Sequence, residues 1–278
     1  MQKSPSRRGA EVVPTRPTIV LDLNQFNDFT SRKECAVHLL ALLDLDNTTS
    51  VDLVNVVSGD PILVGKIMRL ANSAYYGMSS MVSDLRFAIS VLGYSTLRSL
   101  AVTSIANSIY PIPLQHWRRS LFLAGSASSI ATQLECEPTQ AICAGLLADI
   151  GELVLMRTDG FNYTDMRHAA ESFSGSERIS AILAMERERY GMDHAAISAE
   201  LMRGWNFPTE IVTSVEHHHQ RAGTSGLEAT LSMAQLYADH IETPKKQGQV
   251  AMPPELAILD LNRVGSDVAT FLSIMLGI

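Results

Sequence analysis

Apolar residues recur at intervals of three and four through nearly the whole chain from about residue 22 onward. This spacing places them on one face of an α-helix, as in the stripe formed by Val51, Val54 and Val57 with Leu53. The sequence shows no alternating strand pattern of useful length and no internal repeat. The pattern therefore predicts an all-α fold.

Helix boundaries in the front part of the chain are marked by capping residues. Asp60 precedes Pro61, and an aspartate can cap a helix whose first position is a proline. The helix that begins there is predicted to run as PILVGKIMRLANSAYY to Gly77. A further helix is predicted between a capping Ser83 and Gly93.

Prolines at 111 and 113 interrupt the helical pattern and predict a division into two helical lobes. The predicted organisation is a flexible tail at 1–18, a domain at 19–241 with a front lobe at about 19–110 and a rear lobe at about 113–241, a linker at 242–253, and C-terminal helices within 254–278. These last helices, near 254–262 and 266–276, either pack on the domain or form an oligomer contact.

The rear lobe carries the run LLADIGELVL on a helix that Pro138 is predicted to open. Asp149 borders the buried stripe of this helix. A carboxylate at such a position needs a partner, because burying it unpaired is costly. The partner is either a capping amide, an arginine or a histidine, or a metal ion.

Three consecutive histidines in the run VEHHHQ bear on that choice. Consecutive helical residues point about 100° apart, so at most two of His217, His218 and His219 can face one site. The alternative is a polar helix end, where histidine is favourable beside the helix dipole. The run ERERY at 186–190 is predicted to be an exposed helix face.

Composition narrows the function classes. The chain has 278 residues, 46% of them hydrophobic and 18% charged, with a net charge of −7. This charge argues against nucleic-acid binding, which normally needs a basic face. No apolar run reaches the length of a membrane span, the N-terminus lacks a signal-peptide core, and three cysteines without metal-type spacing indicate reduced thiols. We therefore expect a cytoplasmic protein.

Two sets of motifs carry a resemblance to a known family. GDPILVGKIMRLANSAYYG followed by FAISVLG resembles the front half of an HDOD domain. AGLLADIGELVL and DHAAISAELMRGWNFPTEIVTSVEHHH resemble the rear half, which is related to HD and HD-GYP phosphohydrolases. The resemblance covers about 25–241 and implies a multi-helix HDOD bundle with an HD-like rear lobe.

The resemblance also implies which metal ligands of an HD-GYP enzyme have counterparts here. The aspartate of the His-Asp pair corresponds to Asp149, the central histidine to His194, and the later histidine pair to His217 and His218. These four residues would be the ligands if the chain still held a single zinc or iron ion.

Other ligands of the family are replaced. Ala148 stands for the histidine of the His-Asp pair, Arg119 for an upstream histidine with His116 one turn away, and Gln235 for a late aspartate. The Gly-Tyr-Pro loop is missing as well. The losses imply no catalytic residue, no cofactor and a vestigial ligand pocket, lined by Asp149, His194, His217, His218, Arg119 and Gln235.

The front lobe offers a separate candidate surface. Lys66, Arg69 and Asn72 follow at i, i+3 and i+6 and share a helix face, which is either a recognition surface or a solvated face with Asn72 closing the helix. Tyr75 and Tyr76 belong to the same candidate interaction surface, where they are predicted to be packing anchors rather than base-stacking residues.

The resemblance implies a stand-alone, non-catalytic bacterial signalling module that binds a protein or a small ligand. Such modules often work in cyclic-dinucleotide networks that control motility, stress or surface behaviour. We expect signalling proteins as partners and leave a homodimer open. The alternatives are a weak metal-dependent phosphodiesterase or phosphatase and a nucleic-acid-associated regulator.

Overall fold

The structure is a computed structural model that describes residues 19, 21–24, 29–106, 110–173, 175–220, 225–242 and 252–276. The predicted tail at 1–18 and most of the predicted linker at 242–253 lie outside the described residues. The predicted all-α class is confirmed, because the long elements are helices throughout.

Four helices form the front part of the bundle. They are α1 (Lys33–Leu43), α2 (Ser50–Ser58), α3 (Pro61–Ala71) and α4 (Leu85–Ala106). Asp60 caps α3 as predicted, since its Oδ1 accepts hydrogen bonds from the backbone N–H groups of Ile62 and Leu63 at 2.9 and 3.0 Å.

Two predicted boundaries in this part are wrong. Helix α3 ends at Ala71 and a 3-10 turn, Ala74–Tyr76, follows before Gly77. Asp84 rather than Ser83 caps α4, because its Oδ1 accepts from the backbone N–H of Phe87 at 2.9 Å. The predicted helix end at Gly93 is confirmed by the backbone, because Gly93 has non-helical angles (φ 71°, ψ 169°) that separate two helical stretches within α4.

Seven helices form the rear part. They are α5 (Leu114–Gln133), α6 (Pro138–Leu147), α7 (Ile150–Ala169), α8 (Gly175–Tyr190), α9 (His194–Gly204), α10 (Thr209–Glu216) and α11 (Gly226–Glu242). Helix α5 is central and packs against α6 and α11, while α3 contacts α6. One hydrophobic core runs through both parts.

The predicted continuous helix through LLADIGELVL is wrong. Helix α6 ends at Leu147, and Ala148 and Asp149 form a turn before α7 begins at Ile150. The turn lets the two helices pack against different neighbours, α6 against α5 and α7 against α9. Asp149 therefore lies at a helix junction and not on a helix face.

Two short extended segments join the parts of the bundle. Strand β1 (Phe29–Thr30) pairs in parallel with β2 (Tyr110–Pro111). This pair places the entry to α1 beside the entry to α5.

The C-terminal segment differs from the two predicted helices. A 3-10 helix, Pro254–Ile258, precedes a single longer helix, α12 (Leu261–Leu276). Helix α12 packs along α5, where Ser129 Oγ donates to Asp267 Oδ2 at 2.6 Å and the Phe271 ring lies against Gly125. This arrangement places α12 on the domain.

One stretch of the described chain, Pro138–Ser172, is long and apolar enough to be compared with a membrane span. Its most apolar window has a mean hydropathy of 1.5, and 78% of that window is buried inside the bundle. Burial of this kind is typical of helices that build a protein core.

Candidate functional site

Four side chains of the rear part converge at the junction between α6 and α7. They are Asp149 from that junction, His194 from the start of α9, and His218 and His219 from the turn after α10, and their ligand atoms all lie within 4.8 Å of one another. Asp149, His194 and His218 are buried and His219 is half-buried. No other such group of histidine, cysteine and carboxylate side chains occurs among the described residues.

Asp149 is the centre of this group, which we call the Asp149 cluster. Its Oδ2 accepts from Arg119 Nε at 3.1 Å, and its Oδ1 lies 3.2 Å from His218 Nε2 and 3.6 Å from His194 Nε2. Burial alone would raise the pKa of Asp149, but the hydrogen bond from His218 and the charge of Arg119 hold that pKa well below its ordinary value. The carboxylate is therefore ionised.

His194 is positioned by a buried carboxylate on α8. Glu186 Oε2 accepts from both the backbone N–H and Nδ1 of His194, at 2.9 and 2.8 Å. Burial lowers the pKa of His194, but the negative charge of Glu186 more than offsets this and raises the pKa to about 9. The ring accordingly carries two protons near neutral pH.

The other two histidines complete the geometry. His218 Nδ1 donates to the carbonyl of Val215 at 2.5 Å, which directs Nε2 toward Asp149. His219 Nε2 lies 2.8 Å from His194 Nε2, and burial together with the neighbouring charges holds the pKa of His219 well below its ordinary value. A protonated His194 can therefore donate to a neutral His219.

Close packing of two helices brings His194 to Asp149. The backbone N–H of Gly151 donates to Ser198 Oγ at 2.8 Å, and Ser198 Oγ donates to the carbonyl of His194 at 2.8 Å. A Cβ atom at Gly151 would lie 2.1 Å from that carbonyl oxygen. Only glycine allows α7 and α9 to approach this closely.

Arg119 connects the Asp149 cluster to α11. Its guanidinium also donates to Asp239 Oδ1 at 3.0 Å, and Gln235 Nε2 donates to the same oxygen at 2.9 Å. Among the described residues, Gln235 thus contacts the cluster through Asp239. Its Oε1 is buried and has no hydrogen-bond partner among the described residues.

A second layer of buried polar groups lies behind His194. Tyr163 donates its hydroxyl to Glu186 Oε1 at 2.9 Å, and Arg167 donates to both Tyr163 and Glu152. The predicted exposed face at 186–190 is wrong for Glu186, which is fully buried. The spacing of Ile182, Glu186 and Tyr190 was the available signal, since residues four apart share a helix face.

His217 requires a correction, since the resemblance places it in the histidine pair. Its Nδ1 lies 3.3 Å from Glu228 on the half-exposed outer side, and His219 takes its place beside His218. The structure thus brings His218 and His219, and not His217, to the Asp149 cluster. His116 is buried near Glu152, and neither of its ring nitrogens has a hydrogen-bond partner among the described residues.

The front-lobe candidates do not form one open surface. Asn72 is buried and follows the last residue of α3. Its side chain donates a hydrogen bond to the carbonyl of Val82 and accepts one from the backbone N–H of Val82. Lys66 Nζ donates to the carbonyl of Phe29, and the Arg69 guanidinium lies 6.0 Å from the centre of the Trp205 ring.

The two tyrosines that follow Asn72 differ in exposure. Tyr76 is half-buried and shares a hydrogen bond with Thr96 Oγ1 at 3.1 Å, as a packing role predicts. Tyr75 is 87% exposed, which contradicts the same prediction for this residue.

The ligand types in the Asp149 cluster suit zinc or iron, because both metals bind imidazole and carboxylate groups and the cluster offers three imidazoles and one carboxylate. The contacts of His194 with Glu186 and of His218 with Val215 resemble the outer hydrogen bonds that orient metal-bound imidazoles. Two features oppose the fit: the guanidinium of Arg119 touches the carboxylate, and a metal would have to displace a proton from His194.

An all-helical bundle with a partly retained histidine–aspartate centre defines the class of protein. A family model for the HDOD domain matches residues 30–221, and the chain belongs to this family.

Solved structures agree with this assignment. The MmoQ response regulator from Methylococcus capsulatus is 26% identical with a TM-score of 0.64, covering 87% of this chain and 97% of that one. A virulence factor from Campylobacter jejuni is 19% identical with a TM-score of 0.57, covering 92% and 98%, and shares the fold.

A protein relative adds little about function. An uncharacterised protein of Treponema pallidum is 26% identical over 176 residues, which is 60% of this chain and 33% of that protein. This chain therefore spans about a third of the length of that relative.

Proposed function

We propose that this chain is a non-catalytic, cytoplasmic signalling module that acts by binding a protein partner or a small ligand. The HDOD family membership supports a signalling role, and so does the likeness over most of both chains to a protein described as a response regulator. A net charge of −7 speaks against nucleic acid as the partner.

One observation carries the non-catalytic part of the proposal. Arg119 donates to Asp149 Oδ2 and Asp239 Oδ1 at once, at 3.1 and 3.0 Å. A two-metal hydrolase needs carboxylate oxygens that bridge its metal ions. Here a permanent guanidinium charge is hydrogen-bonded to both carboxylates, and Ala148 supplies no ligand beside Asp149.

The protons of the Asp149 cluster support the same proposal. A doubly protonated His194 donates one hydrogen bond to Glu186 through Nδ1 and another to His219 through Nε2. Both short contacts of the His194 ring are therefore hydrogen bonds. The ring nitrogens of His194 are thus satisfied without a metal ion. The cluster then acts as a structural ion-pair network in the rear lobe.

A second candidate function is favoured by the ligand geometry itself. Four donors within 4.8 Å, two of them oriented by outer hydrogen bonds, would allow a single zinc or iron ion to bind Asp149, His194, His218 and His219. A single metal ion that binds a water molecule can activate it for hydrolysis of a phosphate ester.

Elemental analysis separates the two functions. Purified tag-free protein would be assayed for zinc, iron, manganese and nickel beside Asp149→Ala, His218→Ala and the matched control His217→Ala. Turnover of bis(p-nitrophenyl) phosphate would be followed in the same samples. We expect metal far below one equivalent and no turnover in all four proteins.

The opposite result is equally specific. About one equivalent of metal in the wild type and in His217→Ala, lost in the other two variants, would establish the second function. Since metal must displace a proton from His194, that binding would strengthen as the pH rises toward 9.

A further inference from the structure

A cavity of about 520 Å³ lies between the front part, the beginning of α5 and the end of α12. Its volume is within the range of small-molecule sites. Residues of α1 and α2 line it together with Trp117 of α5 and Met275 of α12. None of the side chains of the Asp149 cluster lines it.

Arg32 is the cationic group of this cavity. Its backbone N–H donates to Asp60 Oδ2 at 2.5 Å, which fixes the start of its side chain. Its guanidinium carbon lies 4.2 Å from the centre of the Trp117 ring. Among the described residues its one ion-pair contact is Glu34, at 4.0 Å, which is too long for a hydrogen bond.

These contacts leave the N–H donors of the Arg32 guanidinium available to a ligand beside the Trp117 ring. Trp117 is itself held in place, because its Nε1–H donates to the carbonyl of Gly59 at 2.6 Å. An arginine that is 30% exposed and stacked on a fixed indole keeps a defined position. It matches the flat fork of a carboxylate.

The rest of the lining limits the ligand further. Val56 and Met275 provide apolar surface, and Asn55 provides an amide. Glu34 and Asp52 add two negative charges at the rim. Because these charges repel polyanions, a ligand with several phosphates is disfavoured, whereas a single negative charge can be held by Arg32.

The cavity does not suit covalent chemistry. Cys35 lines it, but the Cys35 thiol donates to the carbonyl of Val56 at 3.2 Å. Burial raises the pKa of Cys35 well above its ordinary value, so the thiol stays protonated. The cavity has the features of a binding site.

We propose that this cavity binds a small organic monocarboxylate with a flat aromatic body, its carboxylate on Arg32 and its ring beside Trp117. The proposal deepens the ligand-binding function proposed above, and it does not depend on whether the Asp149 cluster holds a metal. Met275 belongs to α12, which lies beyond the family match at 30–221. A bound ligand would therefore join the C-terminal helix to the front part of the HDOD domain.

Isothermal titration calorimetry of the full chain tests the proposal with benzoate, phenylacetate and indole-3-acetate. The matched neutral probes are benzamide, phenylacetamide and indole-3-acetamide, and inorganic phosphate serves as the simple anion. We expect at least one acid to bind saturably with a Kd of about 1 mM or below. Its amide should bind about tenfold more weakly, because it lacks the charge-assisted hydrogen bonds.

Variants locate the binding. Arg32→Gln should weaken binding of the acid about tenfold or more, and Trp117→Leu should weaken acid and amide alike. Arg203→Gln, an exposed arginine on α9, is the matched control and should bind as the wild type. The acids and amides are titrated into the wild type whatever its metal content, which separates this result from the metal assay.

Three outcomes would overturn the proposal. They are no saturable binding of any of the three acids by the wild type, equal affinity for an acid and its amide, and phosphate competing as well as the acids. The comparison of acid with amide uses only the wild-type protein, so it holds even if a variant fails to fold.

Discussion

Asp60 in the front lobe and Asp149 in the rear lobe are both buried aspartates that directly precede a helix, yet they are held by different groups. Asp60 accepts three backbone hydrogen bonds, from Ile62, Leu63 and Arg32. Asp149 makes no capping hydrogen bond and is surrounded by the side chains of Arg119, His194 and His218.

The two environments shift the pKa in opposite directions. Burial raises the pKa of Asp60 to about 6, although its backbone hydrogen bonds oppose the rise. At Asp149 the neighbouring His218 and Arg119 overcome burial and lower the pKa. Main-chain dipoles thus compensate burial only in part, whereas charged side chains compensate it fully.

The comparison teaches how each aspartate depends on the rest of the chain. Asp60 serves a local purpose, which is to begin α3. Asp149 depends on residues between 30 and 69 positions away in the chain, and each of these depends on it in turn. Removing Asp149 should therefore have the larger effect.

The largest expected effect is that of Asp149→Leu, which leaves Arg119 and His194 as buried cations beside an apolar side chain. We expect a loss of about 3–5 kcal/mol in the free energy of unfolding, measured by urea denaturation. The double variant Arg119→Met/Asp149→Leu should recover about 1 kcal/mol or more of that loss. If the two changes instead prove additive, the cluster is not held together by this ion pair.

The next effect is a dependence on pH that distinguishes the two aspartates. Between about pH 4 and pH 6 the folded protein keeps Asp60 protonated while the unfolded chain does not, so this group makes folding less favourable as the pH rises. The variant Asp60→Asn does not titrate at this position. Its free energy of unfolding should therefore rise by roughly 3 kcal/mol relative to that of the wild type as the pH increases across this range.

Urea unfolding of both proteins at several pH values measures that difference. Asp149 changes the free energy of unfolding in the opposite direction, because its pKa is lowered in the folded protein. The stability that Asp149 contributes is lost only as the pH falls below the ordinary pKa of an aspartate. A constant difference between Asp60→Asn and the wild type would show that the backbone hydrogen bonds keep Asp60 ionised.

A smaller effect is expected for Glu186→Gln, which removes the charge behind His194. Because Glu186 is the main reason that the pKa of His194 is about 9, the pKa should fall toward or below 6.5. The stability that His194 contributes is present below pH 6.5 and lost as the pH rises through 9, and the variant should no longer show this loss.

NMR titration of the imidazole signals measures that pKa. We expect Glu186→Gln to cost about 1–3 kcal/mol as well, since its partners Tyr163 and His194 lose a charged acceptor. Glu188→Gln, on the exposed face of the same helix, is the control and should leave the His194 titration unchanged.

The smallest effect should come from His217→Ala. His217 is half-exposed, and its ion-pair contact among the described residues is Glu228, so we expect a change within about 0.5 kcal/mol. His218→Ala, one residue away, should cost clearly more because it leaves Asp149 with fewer partners. Equal losses in thermal unfolding would contradict the assignment of His218 and His219 to the cluster.

The helices were predictable because their signals are local. The Asp60–Pro61 start and the spacing of apolar residues depend on neighbours within a turn or two, and the structure contains the corresponding α3. The break at Ala148 and Asp149 was not predictable in this way. It arises from packing of α6 and α7 against different helices, which the apolar run itself does not record.

The candidate site was predictable only in part, for the same reason. Asp149, His194 and His218 follow from the resemblance, but the choice between His217 and His219 depends on where α10 ends, and a shift of one residue turns a side chain by about 100°. Glu186 and Asp239 act through tertiary contacts, and nothing in their immediate sequence names their partners.

The absence of a side chain at Gly151 has a consequence for motion. A Cβ at this position would meet the His194 carbonyl at 2.1 Å, so main-chain contact and not rotamer choice sets the distance between α7 and α9. Even a methyl group there would push the helices apart by about 1 Å. In the native protein, where the helices stay in contact, the backbone amide hydrogen of His194 is bonded to Glu186. It should exchange with solvent deuterium only when the whole rear lobe unfolds, as slowly as any amide in the core.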